Sequence, residues 1–491
     1  MSEPGDEHSE EEQLDVFAAR RHKLAALREA GIEPFPYGFS DVESVASVRA
    51  AHAGLDVGEE TAIAHRVAGR LAARRGQGKM AFLDLVDRSG RIQLQARVDE
   101  LGPERMALLL DLDLGDLIGV DGIAFNSRRG ELSLRLTSFQ LLAKSLRPPP
   151  DKHHGLTDVE TRFRHREADL LSNEDTRAVF IARARMISAV RRYLDERGFI
   201  EVETPILQPL YGGAAARPFT THHNALDREL YLRIASELYL KRLIVGGLER
   251  VYEIGRNFRN EGLSPKHNPE FTMIEWYEAY ADYMDTAALF EGLIGSVAQE
   301  IGYDGPIDFQ KPWHRETLAG AIEARTGIDI RAHRDRDSLA AAMTARGLPV
   351  PETDTWPQLV DELVSKHVEP TLIEPTFLFD YPVEISPLAK RHRSEAGMVE
   401  RFEAFINGIE VANAFSELND PDDQRARFEE QRALAASGDE EAQPYDENYI
   451  EALEYGMPPT GGLGFGIDRM AMIFTGRTTI REVVLFPAMR D

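Results

Sequence analysis

The 491-residue sequence contains no cysteine, which excludes disulfide bridges, thiol nucleophiles and thiolate metal sites. It is poor in positive charge: 57 lysines and arginines stand against 83 aspartates and glutamates, a formal net charge of −26. A protein that coats nucleic acid without reading it needs cations to displace phosphate counterions, so that class does not fit and no DNA partner is expected. Any nucleic-acid contact must be local. No apolar run reaches membrane length and no basic-then-apolar stretch opens the chain, so the expectation is a cytoplasmic protein without a membrane partner. The pairs His153-His154 and His222-His223 lack partners at metal-ligand spacing and read as surface or hydrogen-bonding histidines.

What is present suffices for more than one core: 43% of residues are apolar, and a small domain plus a large one is expected. Residues 1–14 are acidic and polar and predict a disordered tail. Residues 15–60 predict a helical segment, led by an amphipathic helix over 14–30 that Gly31 stops. Its cluster Arg20, Arg21, Lys23 and Arg28 is either an RNA-facing or a merely solvated face. Residues 61–146 hold five short strand candidates (67–71, 82–85, 92–98, 117–123 and 132–136) between Gly, Asp and Ser turns, which fits a small closed barrel of the OB type. Phe82, close to Arg74, Arg75 and Lys79, is either a base-stacking face or a core residue, and spacing alone favours core. Prolines 148–150 begin a linker, 147–175. A helix over 176–197, ended by Gly198, opens the large domain, 176–491; a second is expected over 231–245.

The most informative stretch is 253–283, two strand-like runs around a polar turn. Period two puts Glu253, Asn257, Arg259 and Glu261 on one face of the first run, and Phe271, Met273, Glu275 and Tyr277 on one face of the second. Taken alone, this is equally a solvated hairpin with paired charges. Arg259-Asn-Glu261 followed by His267 and Phe271, however, resembles the second signature motif of class II aminoacyl-tRNA synthetases. His267-Asn-Pro-Glu-Phe-Thr with the trailing Ala279-Tyr-Ala-Asp-Tyr283 is similar to the lysyl family of subclass IIb, of bacterial type. The resemblance covers nearly the whole chain. It implies an α+β fold, with a five-stranded OB barrel joined to a catalytic domain built on an antiparallel sheet flanked by helices.

Other segments fit the same resemblance. Helix 176–197 with Phe199-Ile-Glu-Val-Glu-Thr-Pro resembles the first class II motif and implies a homodimer. Gly461-Gly-Leu-Gly-Phe-Gly-Ile-Asp-Arg469, leading into an apolar helix, resembles the third. It is neither a P-loop nor a dinucleotide fingerprint. In the barrel, the resemblance makes Arg74, Phe82, Gln93 and Glu131 candidate contacts to the lysine anticodon. Gly213 and Glu237 would hold the α-ammonium of lysine, and Glu403 and Glu410 the magnesium ion. Strict alternation puts Glu410 and Asn413 on opposite faces, so if both line the site the strand between them must bulge. Glu167-Ala168 departs from the family's usual tyrosine and leucine near the domain junction.

The implied chemistry is attack of an amino-acid carboxylate on the α-phosphorus of ATP. Two anions meet, so cations matter more than a general base. Arg259 would bridge carboxylate and phosphate, and Arg469 would lie on the adenine face opposite Phe271, with Glu261 and His267 on the nucleotide. Side-chain choice follows from charge: Glu275, Tyr277 and Glu417 suit a buried ammonium, Phe415 can pack a methylene chain, and Asn413 adds an amide. The expected function is ligation of lysine to tRNA(Lys). Two other readings remain: a lysyl-transfer relative that modifies a protein, which would lack the barrel, and a silent RNA-binding descendant, which would lack the motif arginines or magnesium carboxylates.

Overall fold

The computed structural model describes residues 6–76, 78–150, 156–352, 355–436 and 443–490, and the chain divides into two compact units, Met1–Leu156 and Thr157–Asp491. Residues 1–5 of the predicted tail and the pair His153-His154 lie outside the described residues.

In the smaller unit, β1 (Glu60–Arg75), β2 (Met80–Asp87), β3 (Gly90–Arg97), β4 (Leu117–Asn126) and β5 (Leu132–Ala143) close in the order β1-β2-β3-β5-β4. One half of β1 pairs with β4 and the other with β2. A register shift at Leu71/Ala73 bends the strand so that it can serve both partners. Gly69 lies at the change-over, where a Cβ would stand 2.5 Å from the Val86 carbonyl oxygen. Alternation then sorts the side chains. Val67, Leu71, Leu83, Leu85, Ile92, Leu94, Val120 and Leu134 fill the interior, closed off by Val45 and Val48 from the helix Val45–Ala51 and by Met106 and Leu109 from the helix Pro103–Asp111. Phe82 is not core, contrary to its spacing: it falls between buried Ala81 and Leu83 and points outward, half-buried.

The larger unit begins its strands with β6 (Ile200–Glu201), β7 (Leu207–Gln208), β8 (Thr220–His223) and β9 (Arg228–Leu232). A hairpin of β10 (Arg250–Phe258) and β11 (Glu270–Ala279) follows, then β12 (His314–Thr317), β13 (Thr376–Pro382), β14 (Met398–Ile406), β15 (Ile409–Ser416) and β16 (Thr460–Gly466). Eight of these form one sheet in the order β12-β13-β14-β15-β16-β11-β10-β6, and β7, β9 and β8 form a small second one. The expected antiparallel sheet has parallel edges, β12 with β13 and β6 with β10, because long crossovers rather than hairpins join those strands.

The large sheet is two-faced. Ile274, Trp276, Phe402, Ala404, Ala412, Ala414, Leu463 and Phe465 pack on the helices Glu174–Asp195, Tyr283–Ile301 and Ile467–Thr475. Phe290 of the middle helix packs at a tilt against Trp276 and Phe465, at ring-centroid distances of 6.3 and 5.5 Å. Asp282 and Asp285 form a capping box that starts that helix at Tyr283, with residues 280–282 between it and the end of β11 at Ala279. The residues in between, Glu275, Tyr277, Arg401, Glu403, Asn413 and Phe415, are left on the opposite face.

Several sequence expectations shift. The first helix is Asp6–Glu29, so the acidic stretch is helical from Asp6 rather than a tail to 14; glutamate is a good helix former. The predicted linker 147–175 contains the helices Val159–Arg164 and Arg166–Ser172. Buried Arg166 pairs with Asp169 and donates to the Leu485 carbonyl, which ties this segment into the larger unit. The helix expected over 231–245 is Glu237–Val245, preceded by β9. Arg233 explains the break: its buried guanidinium reaches the Arg256 carbonyl and Glu253, which requires extended backbone there. His222 faces Asp227 at 3.3 Å, and no group of three or more potential metal ligands occurs among the described residues. No described helix is long and apolar enough to cross a membrane.

Candidate active site

The polar face of the sheet is built in rows across strands distant in the chain. Glu253 pairs with Glu275, Glu275 with Gly464, Gly464 with Asn413 and Asn413 with Glu403. The next row runs Tyr277, Gly462, Phe415, Arg401. The central glycines make a trough with bare backbone as its floor. A Cβ on Gly462 would overlap both the Glu417 carboxylate and the Tyr277 ring. The trough belongs to a cavity of about 1610 Å³ whose lining includes every catalytic, lysine, ATP and metal candidate named from the sequence.

The bulge required between Glu410 and Asn413 is present. Phe405 pairs with Glu410 and Ala404 with Ala412, so Val411 is the extra residue, and both Glu410 and Asn413 reach the cavity.

One end of the cavity is acidic. Glu275 accepts from the Ser236 N–H at 3.1 Å and from the Tyr277 hydroxyl at 3.4 Å. Burial, then neighbouring Glu237, pushes its carboxyl up to about 7. Burial also raises Glu417, opposed by Lys241, and raises Tyr277 well above the ordinary phenol range. Lys241 Nζ lies 2.5 Å from Glu237 Oε1 and also touches Glu417 Oε2. Apart from that ion pair, neither Glu417 oxygen has a hydrogen-bond partner among the described residues. Gly213 closes over this end at φ +88°, where its missing Cβ would stand 3.0 Å from the Cβ atoms of Ala235 and Glu237.

The other end is cationic. Arg259 lies over the Phe271 ring at 5.1 Å, and burial lowers its pKa. Its Nε has no partner among the described residues. Arg469 donates to Glu410 Oε2 at 3.0 Å and to His267 Nε2 at 3.1 Å. An arginine only donates, so His267 Nε2 accepts, which puts the proton on Nδ1, 2.8 Å from Ser264 Oγ. Desolvation and Arg469 both lower the His267 pKa, which favours that neutral tautomer. Glu261 lies on the same wall.

Arg401 and Lys241 escaped the sequence reading. Arg401 donates to Asn413 Oδ1 at 3.0 Å and Glu403 Oε1 at 2.6 Å, while Tyr381 donates to Glu403 Oε2 at 2.9 Å. Each carried a usable signal: Arg401 precedes Glu403 by two on one strand, and Lys241 follows Glu237 by four on one helix.

In the barrel the four anticodon candidates separate. Phe82 pairs with Gln95 and with Arg75, while Asp84, two residues on, pairs with Gln93, so Phe82 and Gln93 share the outer face. Ser133 Oγ bonds to both the Gln93 side chain and the Glu131 carbonyl, which keeps Glu131 near them. Arg74 belongs to the other set: it pairs with Leu83, and its guanidinium donates to the carbonyls of Leu110 and Leu112. Arg75, not Arg74, is the cation beside Phe82.

A glycine-floored trough between an acidic and an arginine-bearing wall, on an antiparallel sheet, defines the catalytic unit of a class II synthetase. Residues 158–490 match the family described as tRNA synthetases class II (D, K and N), and residues 65–142 match an OB-fold nucleic acid binding domain. The chain is 51% identical to a lysine–tRNA ligase of Carboxydothermus hydrogenoformans over 99% of both chains. It is 52% identical to one of a Synechococcus species over 97% of this chain and 99% of that one, and 49% identical to one of Bacillus subtilis over 99% of both. The chain belongs to the lysine–tRNA ligase family of class II synthetases.

Proposed function

We infer that this chain is a lysine–tRNA ligase, an ATP-dependent enzyme that activates L-lysine to lysyl-adenylate and then transfers lysine to the 3′ end of tRNA(Lys). The observation that carries this reading is the cavity's polarity: three buried carboxylates at one end, Glu237, Glu275 and Glu417, and two arginines at the other. An amino acid with two ammonium groups suits the first end and a triphosphate the second.

At the acidic end, Glu237 and the Gly213 backbone hold the α-ammonium. Glu417 and Tyr277, with Glu275 behind them, hold the ε-ammonium, and Phe415 packs the methylene chain beside Asn413. Arg259 draws the lysine carboxylate and the α-phosphate together. A carboxylate oxygen forms a bond to the α-phosphorus while the bond to pyrophosphate breaks, and Arg259 stabilises the added charge. Adenine lies between Phe271 and Arg469, with Glu261 and His267 on the nucleotide. Glu403 and Glu410 are the residues that would hold magnesium, which supplies neutralisation of the phosphate charge. The pair fits such an ion, since magnesium is usually bound by one or two carboxylates plus substrate phosphates, and both line this cavity.

The barrel's outer face, with Phe82, Gln93 and Glu131, is suited to an unpaired anticodon. Exposed Ile181 on the helix Glu174–Asp195, with Ile200 on β6 and Ile206 and Leu207 at and beside β7, supports a homodimer through these apolar side chains. The site of action is the cytoplasm. Nothing favours a protein acceptor or a silent descendant, since the barrel is present and the arginines and carboxylates converge. The test is incorporation of labelled lysine into deacylated tRNA with magnesium-ATP, expected for lysine and absent for aspartate and asparagine. Lysine-dependent pyrophosphate exchange without charging would move the reading to another acceptor.

A further inference from the structure

Lys241 belongs to the acidic cluster but does not line the cavity. Its side chain is fully buried in the helix Glu237–Val245. The groups around it come from four elements. Glu237 is one turn back on its own helix and Glu417 lies just past β15. Tyr277 on β11 has its ring centroid 6.0 Å from Nζ. Tyr449, from the helix Glu447–Glu454, is buried with no hydrogen-bond partner for its hydroxyl among the described residues.

A buried lysine normally sheds its proton, but two carboxylates in contact reverse that preference. Burial works to lower the Lys241 pKa, yet Glu237 and Glu417 outweigh it and the net shift is upward. Lys241 is therefore a permanent ammonium inside the wall. It takes up Glu237 Oε1 and Glu417 Oε2, and each carboxylate keeps its second oxygen. With all three carboxyls ionised, the inner charges are three carboxylates and one ammonium, a surplus of two negative charges. Lysine brings two ammonium groups, and Arg259 is left for its carboxylate.

We propose that Lys241 is a positioning residue for substrate choice: its ammonium brackets Glu237 and Glu417 from behind, fixing which oxygen of each faces the cavity and holding the site's surplus charge at the two that a diamino acid neutralises. This rests on the lysine reading of the cavity. An amino acid with one ammonium leaves a buried carboxylate uncompensated and is rejected. Without Lys241 the carboxylates repel, one takes up a proton, and the bracket is lost.

The test is pyrophosphate exchange with full-length enzyme. Lys241→Met is expected to raise the KM for lysine about 10- to 100-fold, the cost of a lost charged hydrogen bond, with the KM for ATP within about twofold. Its lysine KM should also require a higher pH to reach its minimum. Cadaverine, a diammonium without a carboxylate, should raise the melting temperature of the wild type and not of the variant. Wild-type lysine KM and pH profile in Lys241→Met would overturn the proposal. If that variant shows no cooperative melt, Lys241→Arg decides: charge kept but reach altered should raise the lysine KM with an unshifted pH profile, and wild-type values would overturn it. Glu417→Gln separates the two levels. An unchanged lysine KM there sinks the lysine site itself, whereas a raised one beside an unaffected Lys241→Met sinks only the bracket.

Discussion

At the acidic end of the cavity, carboxylates outnumber the one ammonium among them and are desolvated; at the cationic end, Arg469 already has Glu410 and His267 as partners while Arg259 keeps Nε unused. The acidic end is thus preorganised by contacts behind the wall and discriminates by charge count. The cationic end holds unspent donor capacity, which only an arriving anion can use. Binding selectivity and transition-state stabilisation are separated along one trough, and substitutions at the two ends should move different kinetic constants.

The largest effect is expected at the cationic end. Arg259→Ala should lower kcat for pyrophosphate exchange about 1000-fold, the low end of what an arginine contributes at a transferring phosphoryl group. A defect confined to a raised KM for lysine would place Arg259 with the acidic end and break the division. Phe82→Ala leaves the cavity intact. It should raise the KM for tRNA about 10- to 100-fold through lost base stacking, with pyrophosphate exchange unchanged; a drop in exchange would show that the barrel is not a separate recognition unit.

The smallest effect is the pH response of the acidic end. Glu275 carries a proton below about 7 in the empty cavity, and an ammonium needs it ionised. The KM for lysine should fall roughly fivefold to tenfold as pH rises from about 6 to about 8, with the KM for ATP flat by comparison. Between the ordinary carboxyl range and about 7, the native state holds a proton that the unfolded chain has released. The empty protein therefore loses stability as pH rises through that window, and saturating lysine should remove the loss in thermal melts. A lysine KM independent of pH would mean that Glu275 and Glu417, which burial also raises, are both already ionised.

Much of this site was legible in the residues. The period-two faces of 253–261 and 267–277 identified Glu275, Tyr277 and Phe271 as co-facial, and the parity clash between Glu410 and Asn413 called for the bulge now seen at Val411. Where the reading failed, a local period was asked a non-local question. Spacing favoured Phe82 as core, yet Ala81 and Leu83 take the interior, and an outward aromatic has the same spacing as an inward one shifted by one residue. Arg74 looked available beside Phe82 because its partners, the Leu110 and Leu112 carbonyls, arrive from another segment.

The sequence by itself determined the five barrel strands, the glycine-rich strand, the motif residues and the surplus of acid, because alternation, turn chemistry and composition act over a few neighbouring residues. Only the tertiary structure decided that Glu275, Gly464, Asn413 and Glu403 share a row, and that the ammonium of Lys241 is shut behind Glu237 and Glu417. Those placements follow from the register between strands scattered over more than a hundred residues of chain and from what is left to desolvate each charge once they pack.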